Sequence, residues 1–255
     1  MNDSWKRLRA HKTAFFSLVY IILLVIIALF APILAPYPFD EQFLDRVLNP
    51  PSTQFWLGTD SLGRDMLSRL IYGARVSMAV ALFTAALSLM IGTVYGSIAG
   101  WFGGFTDSIM MRFVDILDSI PSLVLLILVK VVFDSFDVIA APQWKSMTSM
   151  LLALSLVSWV SLARTVRGQV LQVKQMLYVE SARAAGGSSV RIVGWHILPN
   201  ILGPVIVLLT FQIPANILAE SFMSFLGLGL QPPFASWGVL ANDGWRTLRS
   251  YPHLM

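Results

Sequence analysis

The chain has 255 residues, 56% of them hydrophobic and only 13% charged, about half the roughly 25% of charged residues usual in a soluble domain. With a mean hydropathy of +0.71 and several uncharged stretches long enough to cross a bilayer, it is neither a soluble enzyme nor a disordered chain. The net charge of +4 bears on membrane topology rather than on nucleic acid, and the absence of cysteine excludes disulfides, thiolate metal sites and cysteine nucleophiles.

Residues 1–13 read as a cytoplasmic tail carrying Lys6, Arg7, Arg9 and Lys12. The first span, 14–35, is uncharged and would be about 33 Å long as a helix. Its length, and the prolines at 32, 36 and 38 in place of a small-residue cleavage site, mark a retained helix rather than a signal peptide. Residues 36–75 form a polar segment with Asp40, Glu41, Asp45, Asp60 and Asp65, expected on the periplasmic or extracellular side. The second span, 76–100, holds Gly92, Gly96 and Gly100 at four-residue spacing, a face that another helix can approach closely. General glycine enrichment in membrane helices is the plainer alternative. The uncharged core of the third span, 119–129, is short, so a crossing over 107–133 must take in Asp115 and Asp118 or Lys130, with a kink at Pro121. The fourth span covers 146–163 and the fifth 197–219. Five crossings from an inside start put the 164–196 loop, with Arg164, Arg167, Lys174, Arg183 and Arg191, in the cytoplasm.

Within that loop, Tyr178 to Asn200 reads as helix, stop, helix. Residues from about Gln172 to Ala185 are good helix formers, Gly186-Gly187 supply a left-handed stop, and Ser188 or Ser189 is placed to cap a helix beginning at Val190. Small Ala182, Ala184 and Ala185 leave a surface that a partner protein can approach; an ordinary interhelical loop is the other reading. Two readings also stand for Asp115 and Asp118: a polar lining of a substrate path or partner contact, or, favoured, an Arg112–Asp115 pair at headgroup depth. Glu220 reads as an acid facing water at a helix end, with an outer gate as the alternative. His11, His196 and His253 are scattered, so no catalytic or metal site is expected, and no G-x-x-x-x-G-K-[ST] loop is present to hold ATP.

Glu180-Ser181-Ala182, Gly186 and Leu198-Pro199 resemble the EAA loop of ABC-importer permeases, with Ser181 in an alanine position and His196 in an isoleucine position. Two further segments, Gly58 to Arg69 with Gly73 to Ser77, and Ser224 to Pro233 with Ser236-Trp237-Gly238, resemble the oligopeptide, dipeptide and nickel branch, in particular its second, "C-type" membrane subunit. The resemblance implies an all-α polytopic membrane protein of the type I ABC-importer permease fold. Its permease core would cover 76–255, with a cytoplasmic coupling loop at 172–196, and the ATPase-coupling motif would comprise Glu180, Ser181, Ala182 and Gly186 in that loop with Leu198 and Pro199 just after it. It further implies a homologous second permease, one or two cytoplasmic ABC ATPases holding the ATP and Mg, an extracytoplasmic solute-binding protein and membrane lipid as partners, with no nucleic acid. The location would be the bacterial cytoplasmic (inner) membrane, with the N-terminus inside. Peptides are the expected substrate and nickel the alternative. An ATP-independent channel or secondary transporter is more distant, since the internal repeat expected of one is absent. Related permeases continue into a sixth helix, whereas this sequence stops at Tyr251-Pro-His-Leu-Met255, so a native protein heavier than 28.2 kDa is expected.

Overall fold

A computed structural model describes residues 6, 8–136 and 141–255, with the backbone alone for Gln143. Among the described residues the chain is built of helices, and its β-structure is an isolated antiparallel bridge between Thr59 and Asp65. In chain order the main helices are α1 (Lys12–Leu29), α2 (Met66–Phe102), α3 (Gly104–Ser119), α4 (Ser122–Ser135), α5 (Pro142–Val173), α6 (Leu177–Ala184), α7 (Leu198–Phe225) and α8 (Trp237–Thr247). Four stretches, α1, α2, most of α5 and residues 189–225, are long and apolar enough to cross a membrane. The α3–α4 pair makes a fifth if it counts as one bent span.

Several expected boundaries move, each for a local reason. The first helix stops at Leu29 and is followed by a single turn, Ala31–Leu34, because Pro32 brings no N–H to continue the ladder. The second starts at Met66, ten residues earlier than expected, because Asp65 accepts a hydrogen bond from Ser68 N (2.7 Å) in the manner of an N-cap. The third span is not a kinked helix but two helices at 95°. Pro121 excludes the helical region for Ile120, which lies at φ −87°, ψ 131°. The fourth helix runs on to Val173, so Arg164 and Arg167 belong to a helix rather than to a loop. The fifth extends to Phe225 and is entered through a π-turn, Val193–Ile197. There Pro199 lacks an N–H, and the Asn200 side chain donates to His196 O (2.6 Å).

The contacts divide the chain into two units, 1–79 with 221–255, and 80–220. In the first, α1 buries only Ala28, so its apolar surface has to meet lipid or another chain. The segment read as a polar outer loop holds a buried charge network. Arg64 Nε donates to Asp60 Oδ2 (2.7 Å), Arg69 pairs with the same carboxylate, and Arg69 Nη1 reaches Asp243 of α8 at 3.3 Å. Asp60 and Arg69 are 2% and 1% exposed. Ser236 caps α8 through Val239 N, and Gly238 lies against the Ser221 backbone, where no Cβ would fit.

In the second unit, α2 and α5 pack through the glycine face. Added Cβ atoms at Gly92, Gly96 and Gly100 would meet Leu162, the Ala163 carbonyl and Val170 at 2.9, 2.4 and 2.8 Å. The close approach serves a helix of the same chain. Around it, Leu162, Val166 and Val170 of α5 join Val179, Ile192, Ile197, Ile201 and Val205 in one buried cluster. Tyr95 packs on Trp159 with ring centroids 4.7 Å apart.

Candidate functional site

The loop between α5 and α7 is an ordered device with an inside and an outside. A turn at Lys174–Met176 separates α5 from α6, so the helix expected from Gln172 to Ala185 is two elements rather than one. Helix α6 keeps one face on the cluster: Val179 is fully buried and Ala182 half-buried against it. Glu180, Ser181, Ala184, Ala185 and Gly186 are exposed. The helix ends as the glycines require. Gly186 sits at φ +80°, and Gly187 N donates to Ala182 O (3.0 Å), which satisfies a terminal carbonyl. Ser188 takes the extended N-cap conformation for the next turn, Ser189–Ile192, yet makes no side-chain cap bond, and Ser189 is already the first residue of that turn. Glu180 lies in the first turn of α6 and does not pair with Arg183. The Arg183 guanidinium lies instead over the Trp101 ring, 4.8 Å from its centroid. Leu198 is half-buried on the same cluster, and Pro199 is exposed.

Two ion-pair groups missed in the sequence tie α3 to α5. Arg167 holds Asp107 through Nε–Oδ1 (2.9 Å) and Nη2–Oδ2. Arg164 holds Asp115 and Asp118 together, at 2.8 and 2.7 Å. The favoured Arg112–Asp115 pair is therefore not formed, because α5 offers a guanidinium that spans both carboxylates. Asp115 and Asp118 are exposed rather than buried. Glu220, by contrast, is fully buried, and α7 continues past it, so it is not an acid facing water at a helix end. Lys130, on α4, the second half of the broken span, is 3% exposed and pairs with Asp134 on its own helix. The signal that would have placed Arg164 and Arg167 on a helix was the lack of any proline between 163 and 173, a single Gly168 being tolerated within a helix.

Beside the break at Pro121 lies a cavity of about 490 Å³, inside the usual range of about 300–1,000 Å³ for small-molecule sites. Its walls are mostly apolar, with Asp118, Ser158, Ser161, Gln212 and Asn216 as the main polar members. Ser158 Oγ donates to Asn216 Oδ1 (3.1 Å), and Gln212 Nε2 donates to Ser158 O (2.7 Å). Among the described residues, no group of three or more His, Cys, Asp or Glu is placed to hold a metal ion.

Residues 92–248 match the family described as binding-protein-dependent transport system inner membrane component. Residues 1–51 match the N-terminal TM domain of oligopeptide transport permease C. The chain is 43% identical over 248 residues to the dipeptide transport system permease protein DppC of Bacillus subtilis (strain 168), covering 97% of this chain and 74% of that protein. It is 40% identical over 250 residues to the oligopeptide transport system permease protein OppC of the same organism, covering 98% and 79%. It is 36% identical over 253 residues to the glutathione transport system permease protein GsiD of Pectobacterium atrosepticum, covering 99% and 81%.

Proposed function

The chain belongs to the family of binding-protein-dependent transport system inner membrane components, and from that premise we propose that it forms half of the path by which an ATP-driven importer takes up peptides. It is a multi-pass membrane protein and the membrane subunit of an ABC importer. The observation that carries the reading is the coupling loop. Helix α6 is anchored from beneath by fully buried Val179, and Glu180, Ser181, Ala185 and Gly186 face outward. Such a small-residue surface on a fixed helix suits a groove in a separate ATPase, which would bring the ATP and Mg. In this reading the N-terminus is cytoplasmic, a homologous permease completes the path, and a solute-binding protein delivers substrate from outside.

The cavity beside the α3–α4 break contributes to the path, with Asp118 in its wall and Asp115 joined to Asp118 through Arg164. Apart from the single carboxylate of Asp118, the cavity's polar groups are neutral hydroxyls and amides, and these suit the amide main chain of a peptide better than a metal cation, which calls for clustered charged or imidazole ligands. The dipeptide and oligopeptide systems named for the two relatives support the same substrate class.

The test is uptake of labelled dipeptides, longer peptides and nickel by cells with and without the chain, together with the set of proteins that co-purifies in mild detergent. Chain-dependent peptide uptake and recovery of a second permease, an ATPase and a binding protein are expected. Nickel uptake alone would overturn the substrate assignment, and recovery without any ATPase would overturn the coupling role.

A further inference from the structure

The coupling loop touches more of the molecule than the two helices it joins. Lys174, just after α5, donates from Nζ to the carbonyl of Gly100 (2.7 Å), and Arg183 of α6 stacks on Trp101. Both receivers lie in the last turn of α2, where the carbonyls have no partner within their own helix and a cation is favoured. Trp101 also packs against the cluster that contains Val179 and Ile192. The Gly100 backbone is pressed on α5, where an added Cβ would lie 2.8 Å from Val170 Cβ. This end of α2 therefore has little freedom to move independently of the loop. Beyond it the chain turns at Gly103 and Gly104, both at positive φ (+67° and +53°). It then enters α3, whose Asp107, Asp115 and Asp118 are held by Arg167 and Arg164.

We propose that the last turn of α2 receives the movement of the coupling helix, with Arg183 on Trp101 and Lys174 on the Gly100 carbonyl as the positioning contacts. The inference rests on the reading that α6 docks an ATPase. A displacement of α6 carries Trp101 with it, and the Gly103–Gly104 corner passes the movement to α3 and so to the break beside the cavity. The physical content is that both contacts hold the same end of α2, so the loop and the corner leading to α3 share one rigid turn.

The experiment uses the reconstituted complex with its partner permease, ATPase and binding protein. ATPase association, ATP hydrolysis and peptide uptake are followed together for Arg183→Ala, Trp101→Leu, the double variant, and Trp101→Tyr. Each single variant should raise the ATP hydrolysed per peptide on the order of 3- to 10-fold, the scale set by a cation–π contact. The double variant should do no more than either single one, and Trp101→Tyr, which keeps an aromatic face, should stay within about 2-fold of wild type. An unchanged ratio in Trp101→Leu overturns the proposal. So do additive effects, which would make exposed Arg183 a direct ATPase contact independent of Trp101. Failure of the wild-type complex to bind any ATPase overturns the underlying reading instead.

Discussion

Replacing Gly96 by alanine probes the approach of α2 to α5 with a single methyl group. That carbon would lie 2.4 Å from the Ala163 carbonyl oxygen and 2.9 Å from both Arg167 N and Val166 Cβ, whereas ordinary contact begins at 3.4 Å. The nearest atom is backbone, so no rotamer change relieves the overlap, and the helices must separate locally by about 1 Å in an interior packed nearly to crystal density. A gap of that size forfeits roughly a quarter to a half of the dispersion energy of the atoms that faced each other. Forcing an extra carbon into such a contact costs about 1–3 kcal/mol. The loss should be felt at the loop as well, because Gly100 is in the same stripe and accepts the Lys174 bond. Gly168 on α5 supplies the control: an added Cβ there meets nothing within 4 Å, and alanine should gain about 0.5–1 kcal/mol of helix preference. Melting of the purified complex in mild detergent should therefore fall for Gly96→Ala and hold or rise for Gly168→Ala. If Gly96→Ala melts at or above wild type, or tracks Gly168→Ala, α2 and α5 do not pack through this face.

Gly186→Val should leave insertion and subunit pairing intact but reduce uptake, because a β-branched residue at φ +80° adds about 1–3 kcal/mol of strain. Gly186→Asn, which tolerates that region, should retain uptake, and normal uptake with valine would make the loop a plain connector. Glu180→Ala should change thermal stability by less than about 0.5 kcal/mol, as for other surface changes, and lower ATPase association measured by co-purification. Asp60→Asn leaves buried Arg64 without a carboxylate and Arg69 with Asp243 alone, at 3.3 Å, and should cost about 3–5 kcal/mol, read as lost yield and a lower melting temperature. Wild-type yield and melting would show that the network is not desolvated. Arg164→Gln breaks pairs whose side chains are 42–66% exposed, so it should cost less than about 1 kcal/mol of stability. A strong loss of uptake at unchanged melting would place that bridge in transport.

What the sequence determined by itself was the part governed by composition and local conformation. Low charge and long apolar runs specify membrane helices because every backbone polar group in lipid must be satisfied within its own segment. Four-residue glycine spacing specifies a close approach, and Gly186 specifies a left-handed stop, because both are properties of a few consecutive residues. Partners across the fold were another matter. Arg112 and Asp115 share a helix face, yet an exposed pair at that spacing is worth only about 0.2–0.5 kcal/mol. Arg164, 49 residues away from Asp115, supplies a fork that engages both carboxylates and takes them instead. Arg69 and Asp243 are separated by 174 residues, and nothing local to either announces that they meet or that Asp60 is buried between two arginines. The tertiary structure also turned a kink at Pro121 into a 95° break. The proline marks where helical bonding must fail, but only the packing of the two halves decides the angle at which the chain resumes.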